Sequence, residues 1–195
     1  MVNLIRPTLV LLALLTFVTG IAYPLLVTAI GQTAMADQAN GSLVMRDGKP
    51  IGSRLLGQTF TSPKYFWGRP SATSPMPNNA ASSSGANLGP TNPALKDAVA
   101  GRIEVLQKAD PSNQQAVPID LVTTSASGLD PDISEAAARY QNNRIAAARS
   151  LTAAQVAAVI DANREGALFG FLGEPRVNVL RANLALDALA APATP

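Results

Sequence analysis

The sequence predicts an α+β domain carried behind a single N-terminal membrane helix, and three observations predict it. Residues 7–36 contain no charged side chain. Between residues 42 and 60, two apolar runs flank an Asp-Gly pair of the kind that closes a hairpin. From residue 92 onward, four stretches carry helix-start signals or helical apolar spacing. Strands and helices that do not alternate regularly belong to the α+β class.

The first element is the membrane helix. Met1 to Arg6 forms a short basic head, charged at Arg6 and at the α-amino group. The apolar run Pro7 to Ile30 is 24 residues long. As a helix it measures about 36 Å, against about 30 Å for a bilayer core. Pro7 suits a first helical turn, where its missing N–H costs nothing. Pro24 is expected to kink the lower third. Ala34-Met35-Ala36 fits a signal-cleavage pattern, but a cleaved signal has an apolar region of only about 7–15 residues. The segment therefore reads as an uncleaved anchor. The basic head stays in the cytoplasm, which makes the chain single-pass in the inner (plasma) membrane with residues 31–195 outside. Ala13, Thr16, Gly20, Pro24 and Thr28 recur at steps of three and four, a small-residue face on which another transmembrane helix can pack.

The outer domain opens with a hairpin. Leu43-Val44-Met45 and Ile51 to Leu56 flank Arg46-Asp47-Gly48-Lys49. Next, Gly68 to Pro93 is composed like a linker: 19 of its 26 residues are Gly, Pro, Ser, Thr or Asn. Its two ends are expected to be fixed and its middle, Ser74 to Ser84, mobile. Asn92 caps and Pro93 starts the first helix, with Leu95, Val99, Ile103 and Leu106 on the buried face. Val117 to Thr123 reads as extended and Ser125 to Pro131 as turns. A second helix spans Ser134 to Arg149. A third starts at a capping box, Thr152 with Gln155, stapled by Leu151 and Val156, and ends near Gly166. The last runs from Arg176 to Leu189 and buries Val177, Leu180 and Leu184.

Composition removes most chemistry. The chain has no cysteine and no histidine, which excludes thiol catalysis, Ser-His-Asp triads and the common zinc sites. A net charge of +2 gives no reason to expect nucleic acid. Arg139, Arg144 and Arg149 recur every five residues, which spreads them around a helix instead of forming a basic stripe. No phosphate-binding loop, phosphorylated-aspartate signature or calcium loop occurs, and no metal ligands are assigned. Asp120, Asp130 and Asp132 lie close in sequence to Ser125 and Ser127, which leaves a secreted or anchored carboxylate or serine hydrolase as the alternative reading. Asp130-Pro131-Asp132 otherwise forms a turn and caps the next helix. Tyr65-Phe66-Trp67 is either core or an interface anchor.

Several motifs, taken together and in order, resemble one family. They are Tyr23-Pro24-Leu25, Gln38-Ala39-Asn40-Gly41-Ser42, Gly57-Gln58 and Tyr65-Phe66-Trp67-Gly68-Arg69-Pro70-Ser71-Ala72, then Asn87-Leu88-Gly89-Pro90 and Val117 to Thr123. Ser127-Gly128-Leu129-Asp130-Pro131 and Val177-Asn178-Val179-Leu180 complete the set. The chain is similar to the C subunit of the bacterial Kdp potassium-transporting ATPase and departs from it mainly at Ser74 to Ser84 and after Asp187. The resemblance implies a non-catalytic, single-span subunit beside a channel-like potassium subunit and a P-type ATP-hydrolysing subunit. It implies roles in stabilising that assembly, in aiding ATP binding by the ATPase subunit, and in covering the outer potassium entrance. ATP is the one ligand it brings in, through a glutamine that matches Gln141; the residues alone read Gln141 as a surface helix position. Tyr65, Phe66, Trp67, Arg69 and Asn87 are expected to face a partner subunit.

Overall fold

The computed structural model describes residues 2–190; the α-amino group of the head and residues 191–195 of the tail lie outside the described residues. The chain divides into two compact units, Met1–Ile51 and Gly52–Pro195. The first unit begins with α1 (Val2–Phe17), a π turn (Val18–Ala22) and α2 (Tyr23–Ala34). Together they make one apolar helix, Asn3–Ala34, of 32 residues, whose most apolar 18-residue stretch has a mean hydropathy of 2.3 and is not buried.

Pro24 does not end that helix. It has no N–H to give the carbonyl of Gly20. The ladder slips by one residue just before it, so that Tyr23 donates to the Val18 carbonyl five residues back. This π turn is the form the expected disturbance takes. Threonine hydroxyls inside the helix are satisfied locally, Thr8 on the Leu4 carbonyl and Thr19 on that of Leu15, both at 2.7 Å. A short helix α3 (Ala36–Ala39) leads to the hairpin β1 (Leu43–Arg46) and β2 (Lys49–Ser53). Asp47 at φ 51° and Gly48 at φ 74° make the tight turn that the Asp-Gly pair predicts. The second strand stops at Ser53 instead of reaching Leu56, because the Ser53 hydroxyl accepts from the Leu55 N–H at 3.1 Å and turns the chain.

The second unit contains α4 (Pro93–Ala109), β3 (Asp132–Ser134), α5 (Glu135–Tyr140), α6 (Asn142–Arg149) and α7 (Ala153–Asn163). It closes with β4 (Arg164–Glu165), β5 (Arg176–Asn178) and α8 (Val179–Ala190). The three strands form an antiparallel sheet with β5 in the middle. Ile133 opposite Val177 puts two apolar side chains into a core shared with Leu106, Ile145, Val156, Ile160 and Leu186. Asn92 caps α4 through the Ala94 N–H, and Thr152 with Gln155 forms the expected capping box of α7.

Four expectations are corrected here. Val117 to Thr123 is not extended: Ile119–Leu121 is a 3-10 turn, whose Asp120 carboxylate accepts from the Ser134 N–H at 2.7 Å. The helix expected over Ser134 to Arg149 breaks at Gln141 into α5 and α6. The third helix ends at Asn163, since Arg164 and Glu165 pair with β5. The last segment begins as a strand, so Val177 is a sheet residue and Leu184 is only half-buried.

The Ser/Asn-rich segment is not a loose linker. The Ser71 hydroxyl accepts from the Asn78 N–H at 2.9 Å and donates to the Gly128 carbonyl at 2.7 Å. Thr73 accepts from the Asn79 N–H at 3.0 Å and donates to the Met76 carbonyl at 2.7 Å. Ser84 donates its N–H to the Ser127 carbonyl at 2.9 Å. The expected mobile middle is therefore held, and its small polar side chains are what hold it. Gly128 is the point of closest approach: its φ is 68°, and a Cβ there would stand 2.6 Å from the Ser84 carbonyl oxygen and 2.6 Å from the Thr73 methyl. Gly128→Ala is expected to destabilise the domain by about 1–3 kcal/mol through backbone strain and crowding. Thermal unfolding in detergent, with limited proteolysis to see whether cleavage moves into residues 68–93, checks it.

Candidate functional site

Six consecutive carbonyls, from Ser62 to Trp67, are each taken by a side-chain donor. Trp67 Nε1 bonds the Ser62 carbonyl, Arg144 those of Pro63 and Tyr65, Arg149 that of Lys64, Asn183 that of Phe66 and Gln141 that of Trp67. An irregular segment needs such partners, because it has no neighbouring strand to supply them. Two carboxamides do most to replace a strand. Asn183 accepts from the Phe66 N–H at 2.7 Å and donates to its carbonyl at 3.1 Å. Gln141 does the same for Trp67, at 2.8 Å and 3.1 Å.

Gln141 is 1% exposed and Asn183 2%. The reading of Gln141 as a surface helix residue is thus corrected. Its oxygen also accepts from Arg144 at 2.6 Å, and its nitrogen also donates to the Ala137 carbonyl at 3.2 Å. The helix break falls at the same residue: at φ −87° and ψ −5° Gln141 stays in the right-handed region, but its N–H bonds the Ala138 carbonyl three residues back at 3.2 Å, a tightened turn between α5 and α6.

Arg144 is buried without a carboxylate in contact. Its charge is met by carbonyl oxygens and by the face of Trp67, 4.2 Å from the ring centre. Burial lowers its pKa to about 10, and the nearby Asp110 opposes that shift; it remains a cation at neutral pH. Arg149 covers Tyr65 in the same way at 4.8 Å and pairs with Asp187 at 2.8 Å. Tyr65 donates its hydroxyl to the same carboxylate at 3.2 Å.

This arrangement alters the expected partner surface. Phe66 is 0% exposed and belongs to the core, so it is removed from any contact with another chain. Tyr65 and Trp67 are half-buried, each with one ring face under a guanidinium. Arg69 is tied to Asp130 at 3.1 Å and to the Thr124 carbonyl at 3.2 Å. Asn87 is exposed at φ 51°. Ala13, Thr16, Gly20, Pro24 and Thr28 are all exposed, and nothing lies within 4 Å of the position a Gly20 Cβ would take.

The segment also forms one wall of a cleft of about 540 Å³, lined by Phe60, Trp67, Pro70, Arg102, Val105 and Leu121 among others. Arg102 donates to the Val122 carbonyl at 2.7 Å, and burial lowers its pKa. The carboxylates of the hydrolase alternative have structural partners: Asp120 holds Ser134, Asp130 holds Arg69, and Asp132 holds Asn178 and Arg176. Burial raises the pKa of Asp132, with Asn178 and Arg176 opposing it. Among the described residues no group of three or more Asp or Glu side chains is placed to hold a metal ion.

Sequence reasoning overlooked Asn183 and the inward turn of Arg144 and Arg149. For Asn183 a signal existed: it is an amide set among Val179, Leu180 and Leu186 on the apolar face of the last helix. For the arginines there was none, since their spacing describes the helix and not what packs on it.

Comparison with known proteins gives consistent matches along nearly the whole chain. The family model described as "KdpC: K+-transporting ATPase, c chain" matches residues 5–188. A protein named "Potassium-transporting ATPase KdpC subunit" from Paraburkholderia phytofirmans is 59% identical over 189 residues, covering 97% of this chain and 98% of its own. Proteins of the same name from Herminiimonas arsenicoxydans and Variovorax paradoxus are each 60% identical, covering 96% and 97% of this chain and 98% of their own.

Gln141→Ala leaves the Trp67 backbone groups without their partner, at a cost of about 1–3 kcal/mol for each buried group left unsatisfied. Lower thermal stability and faster amide exchange at Trp67 are expected. Arg139→Gln, which removes only exposed ion pairs to Glu135 and Asp161, should leave the unfolding temperature nearly unchanged.

Proposed function

This chain belongs to the KdpC family, the c chain of K+-transporting ATPases, and we propose that it serves the complex as an accessory subunit and not as its catalyst. The observation that carries this reading is the use to which the polar side chains of the domain are put. Gln141, Arg144, Arg149 and Asn183 hold the protein's own backbone, and the three aspartates hold its own turns. Among the described residues the serine hydroxyls that meet a carboxylate, Ser134 on Asp120 and Ser112 on Asp110, sit at a helix cap and a turn, and the sequence carries no phosphate-binding loop. Nothing observed favours the hydrolase alternative.

In this reading the chain stabilises the assembly of a channel-like potassium-translocating subunit with a P-type ATPase subunit. It is single-pass in the inner membrane, its N-terminus cytoplasmic and its domain on the outer side. Arg6 before the apolar helix, and no further charge until Asp37, support that orientation. The exposed small-residue face from Ala13 to Thr28 is the contact proposed for a partner helix. Covering the outer potassium entrance is a role proposed for the domain. Support of ATP binding belongs to the same proposal, carried through the assembly. Direct contact of nucleotide with Gln141 finds little support, because both ends of its amide are already bonded inside the domain.

Gly20→Leu is expected to lower the yield of the complex recovered in detergent while leaving thermal unfolding of the outer domain unchanged. Equal recovery would remove the helix face from the proposal. The purified chain alone should not hydrolyse ATP. Steady turnover abolished by a single substitution in it would overturn the accessory reading.

A further inference from the structure

The β4–β5 connection ends in an apolar finger that the accessory role leaves unexplained. Every residue from Gly166 to Gly173 is glycine, alanine, leucine or phenylalanine. Leu168 and Leu172 face each other across an antiparallel bridge, and Phe169 at φ 55° and Gly170 at φ 81° turn the tip. A left-handed phenylalanine is uncommon and costs conformational energy. The turn projects the large side chains outward: Leu168 is 63% exposed, Phe169 79%, Phe171 76% and Leu172 50%. None of them belongs to the core. Elsewhere in the domain exposed apolar residues such as Leu55, Met76 and Ile119 occur singly, which is ordinary for a surface. Four together on one turn mark an interaction site.

We propose that this finger inserts into the lipid bilayer and gives the domain a second, reversible membrane contact. The inference rests on reading the first helix as a bilayer span, which keeps a membrane within reach of the domain. Backbone chemistry favours lipid over a protein groove. Leu168 and Leu172 exchange N–H to carbonyl bonds, Gly170 donates to Ala167, and Phe171 donates to Leu168. Four of the finger's N–H donors are thus satisfied internally, which lowers the cost of entering an apolar medium, whereas a strand offered to a partner sheet would keep them free. The arginines at its base are paired, Arg176 with Glu165 at 3.0 Å, Arg181 with Glu165 at 3.0 Å and Arg164 with Glu135, and the residue next to the finger, Glu174, is an exposed acid. Insertion is therefore driven by apolar burial and does not need anionic lipid.

The absence of native cysteine allows a clean test. Phe171→Cys, Leu14→Cys and Gln114→Cys are each introduced singly into the full chain, nitroxide-labelled and reconstituted into phosphatidylcholine vesicles. Leu14 lies in the first helix, and Gln114 is an exposed residue of the domain. Accessibility to oxygen relative to a water-soluble nickel chelate is read by power-saturation resonance. At position 171 the ratio should stand several-fold above that at 114, approach that at 14, and not change with salt. A ratio at 171 equal to that at 114, with 14 still reading lipid, overturns the finger alone. If 14 also reads water, the anchor reading fails and the finger inference with it. Shielding at 171 that appears only when partner subunits are added assigns the finger to a protein groove and overturns the bilayer.

Discussion

The second unit depends on how it holds a stretch of chain that has no regular structure. Residues 62–67 run through the domain without a strand beside them, and every carbonyl in the run is bonded by a side chain. Buried amides without partners would cost several kcal/mol, so this clamp is a condition of the fold and not an ornament on it. Phe66 can then fill the centre of the core, because its backbone is already satisfied by Asn183. The helix break falls at Gln141, a member of the same clamp, which also holds a guanidinium in the interior. Local geometry that looks irregular along α5 and α6 thus meets a segment some seventy residues earlier in the chain.

Arginine does three jobs within one helical region. Arg139 stays outside and bridges Glu135 and Asp161. Arg144 goes inside, where its planar fork bonds two carbonyls and the Gln141 oxygen while its face lies on Trp67. Arg149 sits at the edge, shared among Lys64, Leu186 and Asp187. A lysine could not make the inner set, since it lacks the fork and carries a more strongly hydrated charge.

Much of this architecture was legible beforehand. The Asp47-Gly48 turn, the Asn92-Pro93 start and the Thr152–Gln155 box are local devices whose geometry depends on neighbours in sequence, and each forms where its residues predict. The uncharged first helix was legible for the same reason. The site was not. Whether Gln141 points to water or to Trp67 depends on a segment far away in sequence, and composition carries no record of that pairing. The Ser/Asn-rich segment misled in an instructive way: the residues that suggest flexibility are those whose hydroxyls and amides bond a backbone with nowhere else to turn, as Ser71 and Thr73 show. The aromatic motif was ambiguous between core and interface, and the burial of Phe66 resolves part of it.

The inner clamp consists of two carboxamides and a guanidinium. Carboxamides bind no proton in ordinary aqueous conditions, and Arg144 keeps its proton until about pH 10. Because burial lowers its pKa, the ionisation of Arg144 leaves stability independent of pH through neutral conditions and adds a pH dependence only as alkalinity rises beyond that value. With no histidine in the chain, the grip of Gln141, Asn183 and Arg144 on Phe66 and Trp67 contains nothing that titrates from acid through neutral conditions. On the outer-side placement proposed above, the domain meets whatever acidity its surroundings impose, and this part of its interior is built from groups that do not register it.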